Sequence, residues 1–243
     1  LFRSVMQVAV GDATKLLDFL ESDKTYIATF KLGYISDTFD SEGKIEFVKK
    51  PCLNKDELIN ILNGFLGKIE QIPPKYSAIK LNGKKLCDIA RKTPERQIEI
   101  PKREIEIYSI KLLNFNGYDE AVIEVSCKKG TYIRSLVNDI GLISGFGAYL
   151  VELIRTKAGN FDINNSNNID DTALFEIDPI NALNLNKIEI NDIEYDKISY
   201  GNFIKNNSIY KDGYILLKFN KKLVCLAQIS DNLIKPKKLF KGI

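Results

Sequence analysis

The sequence predicts a fold that mixes helices and strands, with a small strand-rich region at its C-terminal end. Two kinds of pattern predict the mixed part: alternating apolar residues typical of strands, and apolar residues every three or four positions typical of helices. The third observation is a change of composition near residue 160, where the asparagine-rich run NFDINNSNNIDD begins. With 243 residues, 44% of them apolar, the chain is long enough for one large domain and a small appendage.

The first elements follow from short apolar runs. VMQVAV, residues 5–10, ends at Gly11 and predicts a buried strand. Asp12 is then expected to cap a helix that runs to about Glu21. TYIATFKLG, residues 25–33, alternates and predicts a second strand. The helix would bury Leu16, Leu17 and Leu20, and the strand would place Tyr26, Ala28, Phe30 and Leu32 on one face.

The middle of the chain carries three further signals. Asn54 followed by Glu57 is a capping box ahead of a helix with apolar residues at helical spacing. REIEIYSIKLL and EAVIEVSC, separated by the turn-rich NFNGYD, predict a β-hairpin. TYIRSLVNDIG then predicts a helix, and the residues expected to face inward are Ile133, Leu136, Val137 and Ile140.

The last third predicts two more helices and then strands. One helix is expected over residues 148–155 and a short one within NNIDDTALFEID. Residues 183–243 show short strand-like runs separated by turn signals, which favours an all-β appendage. We therefore place the domains at residues 1–178 and 179–243.

Composition excludes several kinds of chemistry. The chain has no histidine, so it cannot form a Ser-His or Cys-His triad. Its four cysteines are far apart, and a zinc site would need all of them to converge. No run is long enough for a membrane span, and no signal peptide precedes the first strand. These features favour a reduced, cytoplasmic protein without a metal site.

The net positive charge is small, but the basic residues cluster in two segments. The net charge is only +3, but residues 75–103 are strongly basic, and KPKKLFK at residues 235–241 forms a second cluster. A solvated surface and nucleic-acid binding remain equally open for the first segment.

Three other features each allow two interpretations. Arg134 lies in the first turn of its helix, where the helix dipole favours acids, so it forms either a surface ion pair or a buried pair with a carboxylate. Tyr26 is either a core residue or a ring that stacks on a flat ligand. The acidic loop with Asp37, Asp40 and Glu42 is expected to be a solvated turn rather than a metal site.

Four segments in order carry a resemblance to a known family. They are VGDATKLLDFLESDKTYIATFKLGYISDTFDSEG, IPPKYSAIKLNGKKLCDIAR, CKKGTYIRSLVNDIG and GAYLVELIRTKAGNF. Together, over roughly residues 4–161, they resemble the bacterial tRNA pseudouridine-55 synthases of the TruB type. The resemblance implies an α+β fold: a mixed, largely antiparallel sheet with flanking helices and a C-terminal PUA-like domain. It also implies a monomer that isomerises uridine-55 in the T-arm of tRNA by base flipping, without metal or cofactor.

The resemblance assigns roles to individual residues. Tyr26 matches the tyrosine that stacks on the flipped base, Arg134 the arginine that pairs with the catalytic aspartate, and Leu153 an apolar residue of the uracil pocket. Asp40 matches an acid near the site. The residues expected to contact RNA are Lys15, Lys75, Tyr76, Lys80, Lys84, Lys85, Arg91 and Arg155. Ile154 replaces a family arginine, which removes one expected phosphate contact.

The resemblance places the family's catalytic aspartate ahead of Leu1. That aspartate lies in a G-x-LDP-x-A-x-G loop, whose last glycine aligns with Ser4. Asp12 occupies a different family position. We therefore expect that an N-terminal segment is missing, that Arg134 is positioned for an aspartate outside these residues, and that the 243 residues alone do not turn over. The alternative is a non-catalytic RNA-binding or RNA-folding protein of the same fold. A different pseudouridine synthase fits less well, because PKYSA and GTYIRS are closest to the tRNA-55 type.

Overall fold

The computed structural model describes residues 3–92, 98–168 and 177–241. The chain divides into two compact units, one of residues 1–6 and 22–165 and the other of residues 7–21 and 166–243. Residues 7–21, which we assigned to the larger domain, thus group with the C-terminal region. Within the described ranges, no helix has the length and apolar character needed to cross a membrane.

The first unit is built on a mixed, mostly antiparallel sheet. Its strands are β1 Arg3–Ser4, β2 Lys24–Leu32, β5 Gly67–Gln71, β8 Arg103–Phe115, β9 Glu120–Cys127, β10 Ala148–Ala158 and β11 Phe161–Asp162. They lie in the order β1, β10, β2, β9, β8, β5, with β11 paired to β10. Among the described strands of this sheet, β1 and β10 run parallel and the other neighbours are antiparallel. The predicted α+β class and the hairpin of β8 and β9 are confirmed.

Two short hairpins lie outside this sheet. Strands β3 (Tyr34–Ser36) and β4 (Ile45–Phe47) flank the acidic loop. Strands β6 (Lys80–Leu81) and β7 (Lys84–Lys85) lie in the basic segment. The turn between β6 and β7 has positive φ at both Asn82 and Gly83, the geometry that Asn-Gly favours in two-residue hairpins.

Two helices bury their apolar stripes against the sheet. Helix α1 (Lys55–Asn63) begins at the predicted capping box of Asn54 and Glu57, and helix α3 (Ile133–Ser144) follows β9. The four inward residues predicted for α3 are all buried in one cluster with residues of α1 and the sheet. The shorter helix α2 (Leu86–Lys92) follows β7 and buries Leu86 and Ala90.

The helix predicted over residues 148–155 is wrong. This segment forms β10, which pairs with β1 on one side and β2 on the other. Apolar residues at Leu150 and Leu153 mimicked helical spacing, but the strand is half-buried along most of its length. A strand with neighbours on both sides satisfies its backbone through the sheet and need not alternate strictly.

The strand predicted over residues 5–10 is also wrong. Only Arg3 and Ser4 form the edge strand, and Met6, Val8 and Val10 are exposed. The following helix exists as a 3₁₀ helix over Gly11–Phe19, with Val10 rather than Asp12 at its N-cap. Leu16 is buried as predicted, whereas Leu17 is exposed.

The second unit contains a five-stranded sheet in the order β12, β14, β15, β16, β13. Its strands are β12 Asn186–Glu189, β13 Ile204–Lys205, β14 Gly213–Phe219, β15 Lys222–Ser230 and β16 Leu233–Leu239. Helix α5 (Asp192–Ser199) corrects the all-β prediction for residues 183–243, and helix α4 (Pro179–Ala182) precedes that range. A second capping box, Asn191 with Glu194, begins α5 and was overlooked in the sequence. Most of the helix predicted within NNIDDTALFEID lies outside the described residues.

Candidate active site

A buried ion pair joins Arg134 of α3 to Asp40 of the acidic loop. Arg134 Nη1 lies 2.9 Å from Asp40 Oδ2, and the two side chains are 25% and 4% exposed. The other carboxylate oxygen accepts from the Thr38 hydroxyl and from the Glu42 amide. Both oxygens of Asp40 are therefore occupied. The expectation of a solvated acidic turn is wrong for Asp40, because its carboxylate is buried and bound by three donors.

Arg134 has a partner within the chain that we did not predict. We expected it to pair with an aspartate outside the 243 residues, which stays a prediction, and the structure adds Asp40 as a partner from the acidic loop. The second guanidinium nitrogen, Nη2, donates to the Tyr76 carbonyl at 2.9 Å. With one nitrogen on each partner, the plane of the guanidinium is set by two separate segments.

The acidic loop is held in place by the sheet and by its own polar groups. Asp40 forms a parallel bridge with Leu150, and the Leu150 amide donates to Phe39 O at 3.0 Å. Asp37 Oδ1 accepts from the Lys44 amide at 2.8 Å, which closes the loop. Among the described residues no group of three or more His, Cys, Asp or Glu is arranged to hold a metal ion. The loop therefore positions one carboxylate and leaves it facing Arg134.

A side chain from strand β5 binds the N-cap residue of helix α3. Tyr132 is the N-cap residue and its own side chain makes no capping hydrogen bond. Instead Gln71, at the end of β5, accepts from the Tyr132 amide at 2.8 Å and donates to the Tyr132 carbonyl at 3.0 Å. Sequence reasoning missed Gln71. The available signal was a polar residue that ends a strand just before Pro73-Pro74.

Tyr26, Leu153 and Arg155 form a second group on the adjacent strands β2 and β10. Tyr26 pairs with Arg155 across the strands, and Leu153 lies opposite Ala28. Tyr26 and Leu153 are half-buried and pack against the core. Burial, with a smaller contribution from Cys127, raises the pKa of Tyr26, and Arg155 opposes this. Strand β10 links this group to the ion pair, because Leu150 holds the Asp40 loop.

Arg155 has an internal partner that we did not predict. Its Nε and Nη2 donate to the Val5 carbonyl at 2.9 and 2.7 Å. The expected role for Arg155 was contact with RNA phosphate. In the structure its guanidinium binds the segment that follows β1.

Apart from Arg155, the predicted RNA-contacting residues fall into two places. Lys80, Lys84, Lys85 and Arg91 are exposed around the β6–β7 hairpin and α2, while Lys75 and Tyr76 are half-buried beside them. Residues 75–92, here called the basic segment, thus present cations to solvent. Arg96 lies outside the described residues.

Lys15 lies in the other unit. It pairs with Asp12 at 2.8 Å and donates to Leu239 O at 2.7 Å. The structure does not group it with the basic segment, so its expected contact with RNA stays a prediction.

Comparison with known proteins identifies relatives of this chain. The family model described as "TruB family pseudouridylate synthase (N terminal domain)" matches residues 3–133. The tRNA pseudouridine synthase B of Clostridium tetani is 47% identical over 172 residues, covering 69% of this chain and 57% of that protein. The protein of the same name from Trichormus variabilis is 43% identical over 171 residues, with coverage of 69% and 57%. The chain thus spans less than two thirds of the length of these relatives.

Solved structures show the same fold at lower identity. A Cbf5–Nop10–Gar1 complex contains a chain that is 22% identical, with a TM-score of 0.64 over 99% of this chain and 73% of that one. An archaeal box H/ACA Nop10–Cbf5 complex gives 21% identity and a TM-score of 0.60 over 99% and 74% of the two chains. At this identity the likeness concerns architecture alone.

Proposed function

This chain belongs to the TruB family of pseudouridylate synthases, and we propose on that basis that the protein isomerises uridine-55 to pseudouridine in the T-arm loop of tRNA. The observation that carries the proposal is the buried Arg134–Asp40 pair. It fixes a cation at a sheet-supported site, directly beside a basic segment suited to RNA. The curated relatives are named tRNA pseudouridine synthase B, which supports pseudouridine formation in tRNA; uridine-55 as the target is our proposal.

Asp40 and Arg134 have different roles in this proposal. Three donors occupy the two oxygens of Asp40, so this carboxylate orients Arg134 and does not attack the substrate. Arg134 is partly exposed and orients the catalytic aspartate that the resemblance places ahead of Leu1. The attacking group is a carboxylate that bonds to the substrate only transiently. Over the whole reaction the bond between the sugar and the ring nitrogen breaks and a bond from a ring carbon to the same sugar carbon forms. The proton lost from that ring carbon is balanced by one gained at the ring nitrogen, and the carboxylate is released unchanged.

Tyr26 supplies the face on which the flipped base stacks. A uridine that leaves the RNA stack loses its neighbours, and an aromatic ring restores roughly 1–3 kcal/mol per base. The ring of Tyr26 is half-buried at the edge of the core, so one part is supported and another remains accessible. Since burial raises the pKa of the Tyr26 hydroxyl, this residue is neutral at physiological pH. Leu153, on the neighbouring strand, provides an apolar wall.

The basic segment binds the T-arm backbone. Its exposed cations, Lys80, Lys84, Lys85 and Arg91, are placed on a hairpin and the following helix, where they neutralise phosphates without reading sequence. The proposed partner is therefore tRNA, with no second protein required. The PUA-like assignment of the C-terminal unit stays a prediction.

The test is single-turnover pseudouridine formation on a T-arm stem-loop. Two proteins are compared: the 243-residue chain, and the same chain joined behind a loop of the family pattern G-x-LDP-x-A-x-G. We expect conversion by the extended chain and RNA binding by both. Conversion by the shorter chain would place the nucleophile within it. Binding without conversion by either would favour the non-catalytic RNA-binding alternative and contradict the proposal.

A further inference from the structure

The side-chain amide of Gln71 binds both backbone groups of Tyr132, the N-cap residue of the helix that carries Arg134. Its Oε1 accepts from the Tyr132 amide at 2.8 Å and its Nε2 donates to the Tyr132 carbonyl at 3.0 Å. Gln71 is only 2% exposed. A buried amide that uses both its acceptor and a donor on one residue fixes that residue in position and orientation.

Two residues that follow Gln71 also accept hydrogen bonds from side chains in the first turn of α3. Ser135 Oγ donates to Ile72 O at 2.7 Å, and Arg134 Nη2 donates to Tyr76 O at 2.9 Å. Segment 71–76 is therefore attached to the N-cap and the first turn of α3 through Gln71, Ile72 and Tyr76. This segment is also the entry to the basic segment.

The first turn of α3 also carries Arg134 and so determines where Arg134 meets Asp40. Arg134 is the second residue of α3 and binds Asp40 with Nη1 while Nη2 holds Tyr76 O. A shift of segment 71–76 would move the Tyr76 carbonyl, which accepts from Nη2 and so helps to orient the Arg134 guanidinium. A misplacement of about 1 Å at an active site can cost on the order of 10²-fold in rate.

We propose that Gln71 is a positioning residue that couples RNA binding at the basic segment to the orientation of Arg134, by attaching segment 71–76 to the first turn of α3. This inference rests on the proposed function, because RNA is the ligand whose binding is transmitted. Gln71 itself contacts neither substrate nor Asp40. It acts through the backbone N–H and C=O of Tyr132.

Two variants of Gln71 separate the hydrogen bond that it accepts from the one that it donates. Gln71→Leu removes both hydrogen bonds at similar size. Gln71→Glu keeps the acceptor, but an ionised carboxylate cannot donate to the Tyr132 carbonyl, whereas a protonated one can. The Gln71→Glu protein should therefore recover towards wild-type behaviour as the pH falls. The matched control is Asn54→Ala, which removes the capping box of α1 and weakens the same unit without touching α3.

The primary readout does not need turnover. The Leu136 amide donates to Tyr132 O at 3.0 Å, so its hydrogen exchange reports the first turn of α3. At saturating T-arm stem-loop we expect the Leu136 amide to exchange roughly tenfold more slowly in the wild-type chain and in Asn54→Ala. In Gln71→Leu the stem-loop should still bind, within about threefold of wild type because the phosphate contacts remain, but the slowing should disappear.

A second readout is the single-turnover rate of a catalytically complete protein. Gln71→Leu should lower the rate and leave the RNA dissociation constant nearly unchanged, and its effect should be non-additive with Arg134→Lys. Equal slowing of Leu136 in wild type and Gln71→Leu, or full additivity with Arg134→Lys, would overturn the inference. If the wild-type chain does not bind the stem-loop at all, the proposed function fails first and the coupling fails with it.

Discussion

Arg134 Nη1 lies 2.9 Å from Asp40 Oδ2, and this contact joins a helix to a loop 94 residues away in the chain. The loop is attached to β10 through Leu150, and Arg134 also holds the Tyr76 carbonyl. One arginine thus connects the sheet, the acidic loop and the start of the basic segment. The site depends on this connection.

Removing Asp40 should be strongly destabilising. Asp40→Ala leaves the Arg134 charge without its partner in a largely desolvated site, and loss of one member of a buried pair costs roughly 3 kcal/mol or more. Urea unfolding measures this. The matched control is Glu70→Ala, which breaks the exposed Lys102–Glu70 pair and should cost less than about 1 kcal/mol. Equal effects of the two substitutions would contradict a stabilising role for the buried pair.

Two buried serines should respond in opposite ways to alanine. Ser77 Oγ is buried and has no hydrogen-bond partner within the described residues, so Ser77→Ala should leave stability unchanged or raise it by up to about 1 kcal/mol. Ser135 Oγ donates to Ile72 O at 2.7 Å, and Ser135→Ala should cost about 1 kcal/mol. Urea midpoints of the two variants provide the comparison. A clear loss of stability in Ser77→Ala would reveal a partner for its hydroxyl.

Leu16 should stabilise the C-terminal unit although it lies near the start of the chain. It is buried with Leu216, Leu226 and Phe240, and truncating such a leucine to alanine typically costs about 2–5 kcal/mol. Hydrogen exchange of β14 and β15 amides should therefore accelerate in Leu16→Ala. Leu17 is exposed, so Leu17→Ala is the control and should change exchange little. Faster exchange confined to β2 and β9 would contradict the assignment of residues 7–21 to this unit.

The cysteines should differ in reactivity with pH. Burial raises the pKa of Cys127 to about 11, and Cys52 is exposed. At pH 8 a thiol reagent should modify Cys52 far faster than Cys127, because the thiolate is the reactive form. A folded-state pKa above the ordinary thiol value of 9.0 means that the protonated thiol stabilises the fold fully below that pH. This stability is lost as the pH rises towards about 11. Equal labelling rates in the native protein would refute the burial of Cys127.

Salt dependence should identify the cations that contact RNA. Lys84 is exposed on the β6–β7 hairpin, and Lys84→Ala should lower the slope of log affinity against log salt by about 1. Lys55 is also exposed, on α1 and outside the basic segment, and Lys55→Ala should leave the slope unchanged. The measurement is a titration of a fluorescent T-arm stem-loop at several salt concentrations. Identical slopes for the two variants would remove the basic segment from the interface.

Local patterns predicted the elements whose signals are local. The capping box of Asn54 and Glu57, the hairpin of β8 and β9 and the inward stripe of α3 all depend on residues close together in sequence, and the structure confirms each. β10 was mistaken for a helix because its structure depends on pairing with β1 and β2. No pattern within residues 148–158 records that pairing.

The candidate site was predicted only in part, because its contacts join segments that are far apart in the sequence. Arg134 stood out because its charge is unusual in a first helical turn, but its partner lies in a distant loop that looked solvated. Gln71 carries no charge and fits no motif, so only its contacts with Tyr132 reveal it. Arg155 and Lys15 were assigned to RNA by resemblance, while the structure shows their internal partners, Val5 and Asp12.

The most direct test of the proposed function is pseudouridine formation at position 55 of a T-arm stem-loop, measured with the chain joined behind the family's aspartate-containing loop. We predict conversion of that one uridine, and loss of roughly 10²-fold or more in single-turnover rate in Arg134→Lys, since lysine cannot hold both Asp40 and Tyr76 in the guanidinium geometry. Stem-loop that is bound but never converted, or an Arg134→Lys protein as fast as wild type, would contradict the account.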